Sequence, residues 1–146
     1  MDNIGGYNKI EVYPAENWIE ITLINGFYQI NYLDPFFSLP FNKESAQITA
    51  VPDDTGAGLF FTNDAECIIP YTELTAGLKN ILDRYNNTYC VIRFVTNNNE
   101  VFILGSKNYP LTMLVEKQLP GSVSNLSGWK LTFKGISTHD LLESVL

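Results

Sequence analysis

The chain has 146 residues, of which 45% are hydrophobic and 17% charged, and its formal net charge is -7. This length and composition predict one globular domain over residues 1–146. Nine Lys and Arg against sixteen Asp and Glu argue against a nucleic-acid partner, because that affinity depends on clustered basic side chains. No stretch approaches the ~20 apolar residues of a membrane-spanning helix, and no signal peptide is visible, so we expect a chain made in the cytoplasm with no membrane partner.

The first half of the chain is dominated by a period of two between apolar and polar residues, which is typical of strands with one buried face. Asn25-Gly26 separates two such runs and predicts a tight hairpin, because both residues tolerate positive φ. The region 34–70, with Pro35, Pro40 and Pro52, otherwise reads as rich in loops. The strands predicted in this half cover 9–13, 18–24, 27–33 and 45–51.

An amphipathic helix is predicted at about 72–85, because its apolar residues recur at helical spacing. Thr72 is the expected N-cap, and Asn86-Asn87 is expected to end the helix. The apolar positions are Leu74, Leu78, Ile81, Leu82 and Tyr85.

A second hairpin is predicted at TYCVIRFVTNNNEVFILGS, where Asn97-Asn98-Asn99 supplies the turn. Both faces of its first strand are apolar, so we expect a helix and a sheet, or another subunit, to cover them. One face carries Cys90, Ile92 and Phe94, and the other carries Tyr89, Val91 and Val95.

The last third of the chain is predicted to hold strands at 111–117 and 128–135, followed by a short amphipathic helix within 137–146. The nine residues after Ser137 cannot hold a helix alone, so this tail is expected to dock on its own core or on a neighbour. The expected fold is therefore mainly β (α+β): an antiparallel sandwich or barrel with the helix at about 72–85 and a short C-terminal helix.

The segment VPDDTGAG contains Asp54-Thr55-Gly56, the arrangement in which aspartic proteases carry their catalytic carboxylate. A homodimer could pair two copies of Asp54, and Ile103-Leu104-Gly105 supplies the downstream apolar-Gly strand of such proteases. Pro52 and Asp53 argue against this hypothesis, because a buried dyad is entered from an apolar strand. We therefore interpret the segment as an acidic loop in which Asp54 faces solvent, and the protease remains a minor alternative.

Other reactive side chains favour ordinary structural roles. His139 is the single histidine, and Cys67 and Cys90 lie in apolar runs, so a Cys-His nucleophile is disfavoured, while the pairing of the two thiols stays open. The acidic side chains between residues 53 and 66 could gather calcium, but their spacing matches no known loop and a solvated surface is favoured. We expect no catalytic residues, no cofactor and no metal. The acidic side chains are Asp53, Asp54, Asp64 and Glu66.

The second half of the chain resembles small structural proteins from the tail modules of phages and prophages of Bacteroidetes-type bacteria. The resemblance rests on an apolar strand, an Asn-rich turn, a strand ending in Leu104-Gly105, a Tyr109-Pro110-Leu111 strand start and a closing strand at 129–135. The opening Asn3-Ile4-Gly5-Gly6 is also similar. The resemblance implies a non-enzymatic virion component that assembles into rings or tubes.

The leading functional expectation is therefore a phage or prophage tail structural protein located in the virion. Its expected partners are copies of itself, in a ring such as a hexamer, and other tail proteins. The alternative is a host-surface or carbohydrate-binding module. The interface candidates are Tyr89, Val91, Val95, Leu141, Leu142, Val145 and Leu146.

Overall fold

The computed structural model describes residues 7–14, 19–32, 37–41, 45–54, 59–106, 109–117, 128–137 and 142–144. Eleven strands, one α-helix and one short 3₁₀ helix lie in this part of the chain. The strands are β1 (Tyr7–Pro14), β2 (Ile19–Ile24), β3 (Phe27–Tyr32), β4 (Phe37–Ser38), β5 (Gln47–Asp54), β6 (Leu59–Pro70), β7 (Thr88–Thr96), β8 (Val101–Leu104), β9 (Leu111–Lys117), β10 (Gly128–Ser137) and β11 (Leu142–Ser144). The 3₁₀ helix covers Tyr71–Glu73, and α1 covers Ala76–Tyr85. The expected mainly β fold with one main helix is confirmed.

The strands form one hydrogen-bonded sheet in the order β2-β3-β11-β8-β7-β9-β10-β6-β5, with β1 pairing β7 and β4 pairing β1. Every pair is antiparallel except β3 with β11. Among the described strands, β5 pairs with β6 alone and β4 with β1 alone, so the sheet does not close into a barrel.

Strand β7 joins the two parts of the sheet. Along one edge it pairs with β1. Along the other edge its first residues, 88–90, pair with β9, and residues 92–95 pair with β8. Because β8 and β9 share this edge in succession, the chain bends between them, and Gly105 takes a φ of 90° at that bend.

Both faces of β7 are buried within the chain itself. Ile92 and Phe94 lie in the main core, which is shared by β1, β5, β6, β8, β9, β10 and α1. Val91, on the opposite face, packs with Tyr13 and Ile103 in a smaller core, where side chains of the β2–β3 hairpin cover it. The two-sided apolar pattern therefore requires no second subunit. Its cover is the rest of the sheet on one side and a hairpin on the other.

The two turn predictions are confirmed. Asn25 and Gly26 join β2 to β3 with φ angles of 52° and 85°. Asn99 takes a φ of 63° between β7 and β8, and the Thr96 carbonyl accepts a hydrogen bond from its amide at 3.0 Å. These turns form where predicted because Asn and Gly reach the left-handed region at low cost.

The predicted helix is displaced at its start. Residues 71–73 form a 3₁₀ turn, and the N-cap of α1 is Thr75, whose hydroxyl accepts a hydrogen bond from the amide of Leu78 at 3.2 Å. The assignment of Thr72 as the cap was wrong. Asn87, with a φ of 61°, follows the helix as predicted.

Two predictions for the chain ends and loops were also wrong. Residues 59–70 form the 12-residue strand β6 rather than loop, and β5 extends through Asp54. The expected C-terminal helix is replaced, over the described residues 142–144, by strand β11. The weaker strand predictions at 9–13, 45–51 and 111–117, and the one at 128–135, are confirmed.

Candidate functional site

The exposed side of β5, β6, β9 and β10 forms a four-stranded surface, which we call the outer face. Period two places the alternate residues of these strands in the main core and the others on this face. Its described members are Gln47, Thr49, Val51, Thr62, Asp64, Glu66, Ile68, Thr112, Leu114, Glu116, Lys130, Thr132, Lys134 and Ile136.

Several large apolar side chains lie exposed on this face. Ile136 of β10 is 60% exposed and Val51 of β5 is 55% exposed. Both lie opposite Thr62 of β6, the strand between them. Leu114 is exposed beside Thr132. Tyr89 of β7, which is 62% exposed, lies opposite Thr112 and continues the face toward β7. We interpret this set of exposed apolar side chains on one sheet face as a candidate interaction surface.

Charges of both signs lie between these apolar residues. The Nζ atom of Lys130 lies 3.4 Å from Oε2 of Glu66 on the neighbouring strand. Lys134 lies directly opposite Asp64, and Lys130 directly opposite Glu116. Acidic and basic side chains thus alternate across the strands, so the face has no strong field of one sign. A partner with a similarly mixed surface can pair with it without like-charge repulsion.

The predicted interface residues have different positions in the structure. Tyr89 is on the surface, whereas Val91 and Val95 are 0% and 6% exposed and belong to the chain's own interior. The prediction of Val91 and Val95 as interface residues is therefore corrected. The β2–β3 hairpin covers Val91, and Val95 is buried within β7 between strands β1 and β8. Leu142 lies in β11 opposite Ile103. Leu141, Val145 and Leu146 lie outside the described residues.

The acidic segment takes a different form from the loop that was expected. Asp53 and Asp54 end edge strand β5, with backbone partners Phe60 and Leu59. Pro52 is tolerated in this strand because its edge position requires no amide donor on the free side. The direction of the Asp54 side chain, and residues 55–58, lie outside the described part of the chain.

Two members of the hypothetical calcium cluster, Asp64 and Glu66, lie on the outer face of β6. Glu66 is engaged by Lys130. Within the described ranges, no group of three or more His, Cys, Asp or Glu side chains is placed to hold a metal ion. His139 lies outside those ranges.

Both cysteines are free thiols buried in the main core. Burial raises the pKa of the Cys67 thiol to about 12, with a smaller contribution from Glu66, and burial also raises the pKa of Cys90. Since the thiolate is the reactive form, neither side chain is activated for nucleophilic chemistry.

No family model matches this chain, and neither a curated protein nor a solved structure gives a significant match. In the described part of the chain, no helix has the length and apolar character needed to cross a membrane.

The sequence reasoning missed the outer face because it left 59–70 unassigned. A signal was present, since Ala65, Cys67 and Ile69 alternate with Asp64, Glu66 and Ile68 over the second half of β6. The proline residues upstream obscured it. The sequence also carried no signal for the buried ion pair between Glu11 and Arg93, whose atoms Oε1 and Nη1 lie 2.5 Å apart on neighbouring strands.

Proposed function

We propose that the chain is a non-enzymatic structural subunit of a phage or prophage tail, and that it assembles with copies of itself through the outer face. The observation that carries self-association is the set of exposed apolar side chains on that face. The resemblance of the second half of the chain and of its opening residues to tail-module proteins supports the assignment to a virion. Because a twofold contact through the outer face closes a dimer, a ring needs a second contact as well.

The outer face offers enough apolar surface to contribute to a specific contact. Fully burying a Val, Leu or Ile side chain is worth about 1.5–3 kcal/mol. Ile136 and Val51 are each more than half exposed, so each can still contribute about 1 kcal/mol on association. Two copies that meet face to face contribute the set twice, and Tyr89 adds a large amphipathic ring of the kind enriched at interfaces.

The mixed charges on the outer face can orient two copies of the chain relative to each other. In a twofold contact, residue i of one copy meets residue j of the other, and the reverse contact also forms. A face on which Lys130, Glu66 and Glu116 alternate can place each Lys of one copy near an acidic side chain of the next. Such a contact weakens as salt is added, because exposed charge pairs are screened.

The test compares the mass of the full-length protein in solution with that of two matched variants. Ile136→Lys places a charge on the outer face, and Leu23→Lys places the same charge on the β2–β3 hairpin, at a residue that is 61% exposed against 60% for Ile136. Light scattering or native mass spectrometry over a concentration series should show oligomers for the unchanged protein and for Leu23→Lys. Ile136→Lys should shift the assembly midpoint at least about tenfold, since each 1.4 kcal/mol is a factor of ten.

A protein that stays monomeric at all concentrations would overturn the proposal, as would equal effects of the two substitutions. The virion assignment has its own test in the genes on either side of this one. Capsid and tail genes there support it, and a neighbourhood without phage genes contradicts it.

A further inference from the structure

Strand β11 has an unusual place in the sheet. It lies between β3 and β8, and among the described strands it is the single hydrogen-bonded link between the β2–β3 hairpin and the rest of the sheet. Residues 142–144 pair with residues 103–101 of β8, and Ser144 also pairs with Tyr28 of β3. A segment close to the end of the chain therefore completes the centre of the sheet.

The position that β11 occupies requires a strand. Val101 and Ile103 of β8 are 3% and 0% exposed, so the backbone beside them is in the interior. Without β11, the amides and carbonyls along that edge of β8 would have no strand partner, and unpaired buried backbone groups cost free energy. The hairpin would then hold to the sheet through the packing of Ile21, Tyr28 and Ile30 on the smaller core.

Few residues hold β11 in this position. β11 has three residues, and residues 138–141 alone connect it to β10. The start of the connection is fixed, because Ser137 is fully buried and its Oγ atom accepts a hydrogen bond from Nδ2 of Asn63 at 3.0 Å. The segment that follows carries Leu141, Leu142, Val145 and Leu146 but is too short to bury them by itself.

We propose that β11 is exchanged between copies, so that the C-terminal segment of one chain occupies the position between β3 and β8 of a second copy. The pairs with β8 and β3 are main-chain hydrogen bonds, and the same segment of another copy makes the same pairs. The exchanged and closed forms therefore differ chiefly in the entropy of the connection, and exchange becomes favourable as the concentration of the chain rises. This inference takes self-association from the proposed function and adds a second contact, distinct from the outer face.

The test uses two full-length variants. Each carries one new cysteine, and the two cysteines lie at positions that pair directly across β8 and β11. Val101→Cys and Ser144→Cys are both close in size to the native residue, and the two positions face each other across β8 and β11. Opposed residues in an antiparallel pair have Cα atoms about 4.5–5.5 Å apart, within the range of a disulfide. The variants are mixed, unfolded, refolded together at high concentration and oxidised, and disulfide-linked peptides are mapped by mass spectrometry.

We expect a cross-chain disulfide between positions 101 and 144. The control replaces Val101→Cys by Asn80→Cys, an exposed position on α1 that is not part of the outer face, where a disulfide with position 144 reports random collision. The cross-chain yield should exceed this control by at least about tenfold, because exchange brings the partners to an effective concentration in the millimolar range. A second pair, Phe102→Cys with Glu143→Cys, should behave in the same way.

The exchange is refuted if the yield of cross-chain disulfide is no higher than the control for both pairs. It is refuted in the same way if a chain that carries both Val101→Cys and Ser144→Cys forms the disulfide only within itself. This failure is distinguishable from failure of the proposed function. Oligomers that persist without a cross-chain disulfide refute exchange alone, whereas cross-chain disulfides together with an insensitive Ile136→Lys refute the outer-face contact alone.

Discussion

Replacing Arg93 by methionine removes one partner of a buried ion pair and leaves the other in place. The Glu11 side chain is 3% exposed and the Arg93 side chain 18% exposed, with Nη1 and Oε1 2.5 Å apart. Removing one partner of a buried pair typically costs about 3–5 kcal/mol, because a charge is left without compensation. Lys9 remains 3.8 Å from Oε2 of Glu11, but its side chain is 52% exposed, so it compensates in part. We therefore expect Arg93→Met to lower the free energy of unfolding by about 3 kcal/mol, at the lower end of that range.

The companion variants separate the lost charge from lost packing. Glu11→Met should cost less, about 1–2 kcal/mol, because the more exposed guanidinium of Arg93 can turn toward water. The double variant Glu11→Met/Arg93→Met should be more stable than Arg93→Met alone, since apolar side chains of similar volume often replace a buried pair without loss.

The assay is urea unfolding followed by tryptophan fluorescence, with Trp129 as a buried reporter on β10. An Arg93→Met variant that loses less than 1.4 kcal/mol, a tenfold change in the folding equilibrium, would refute the reasoning. A double variant whose cost equals the sum of the two single costs would do the same, because it would mean that the two side chains are not coupled.

Three further predictions use the same unfolding assay. Thr75→Ala should lower the free energy of unfolding by about 1 kcal/mol, because the N-cap of α1 is lost. Thr72→Ala should stay within about 0.5 kcal/mol of the unchanged protein, and equal losses would contradict the placement of the cap. Gly128→Ala should destabilise the chain by about 1–3 kcal/mol or more, because the new Cβ would overlap the carbonyl oxygen of Ile69. A neutral result would contradict that approach of the two strands. Burial of the Cys67 thiol should lower stability as pH rises from about 9 toward 12, since its pKa is raised to about 12 in the folded chain and the unfolded chain loses that proton first. Cys67→Ala should make this loss smaller but not abolish it, because burial also raises the pKa values of Cys90 and Tyr13. An unchanged loss in Cys67→Ala would contradict the assignment to Cys67.

Much of the β architecture followed from local signals. The hairpin at Asn25-Gly26 and the turn at 97–99 were predicted because positive φ is a property of single residues. The two-sided apolar pattern of β7 correctly indicated that both of its faces are covered. The pattern could not identify what covers these faces, because a neighbouring subunit and the β2–β3 hairpin require the same apolar residues.

The C-terminal segment is the clearest case in which local reasoning was wrong. The spacing of Leu141, Leu142, Val145 and Leu146 is compatible with a helix face, but so short a helix has too few internal hydrogen bonds to persist. As a strand, residues 142–144 obtain hydrogen bonds from β8 and β3 instead. Those partners lie about 40 and 115 residues upstream along the chain.

By itself, the sequence determined the class of fold, the turns and the faces of most strands, because each of these depends on residues within a few positions of one another. The tertiary structure decided the pairing of β6 with β10 and β5, the burial of Glu11 against Arg93 and the insertion of β11. It thereby also decided which apolar side chains remain on the outer face. These features depend on contacts between distant segments, and their free energy exists only once the sheet has brought those segments together.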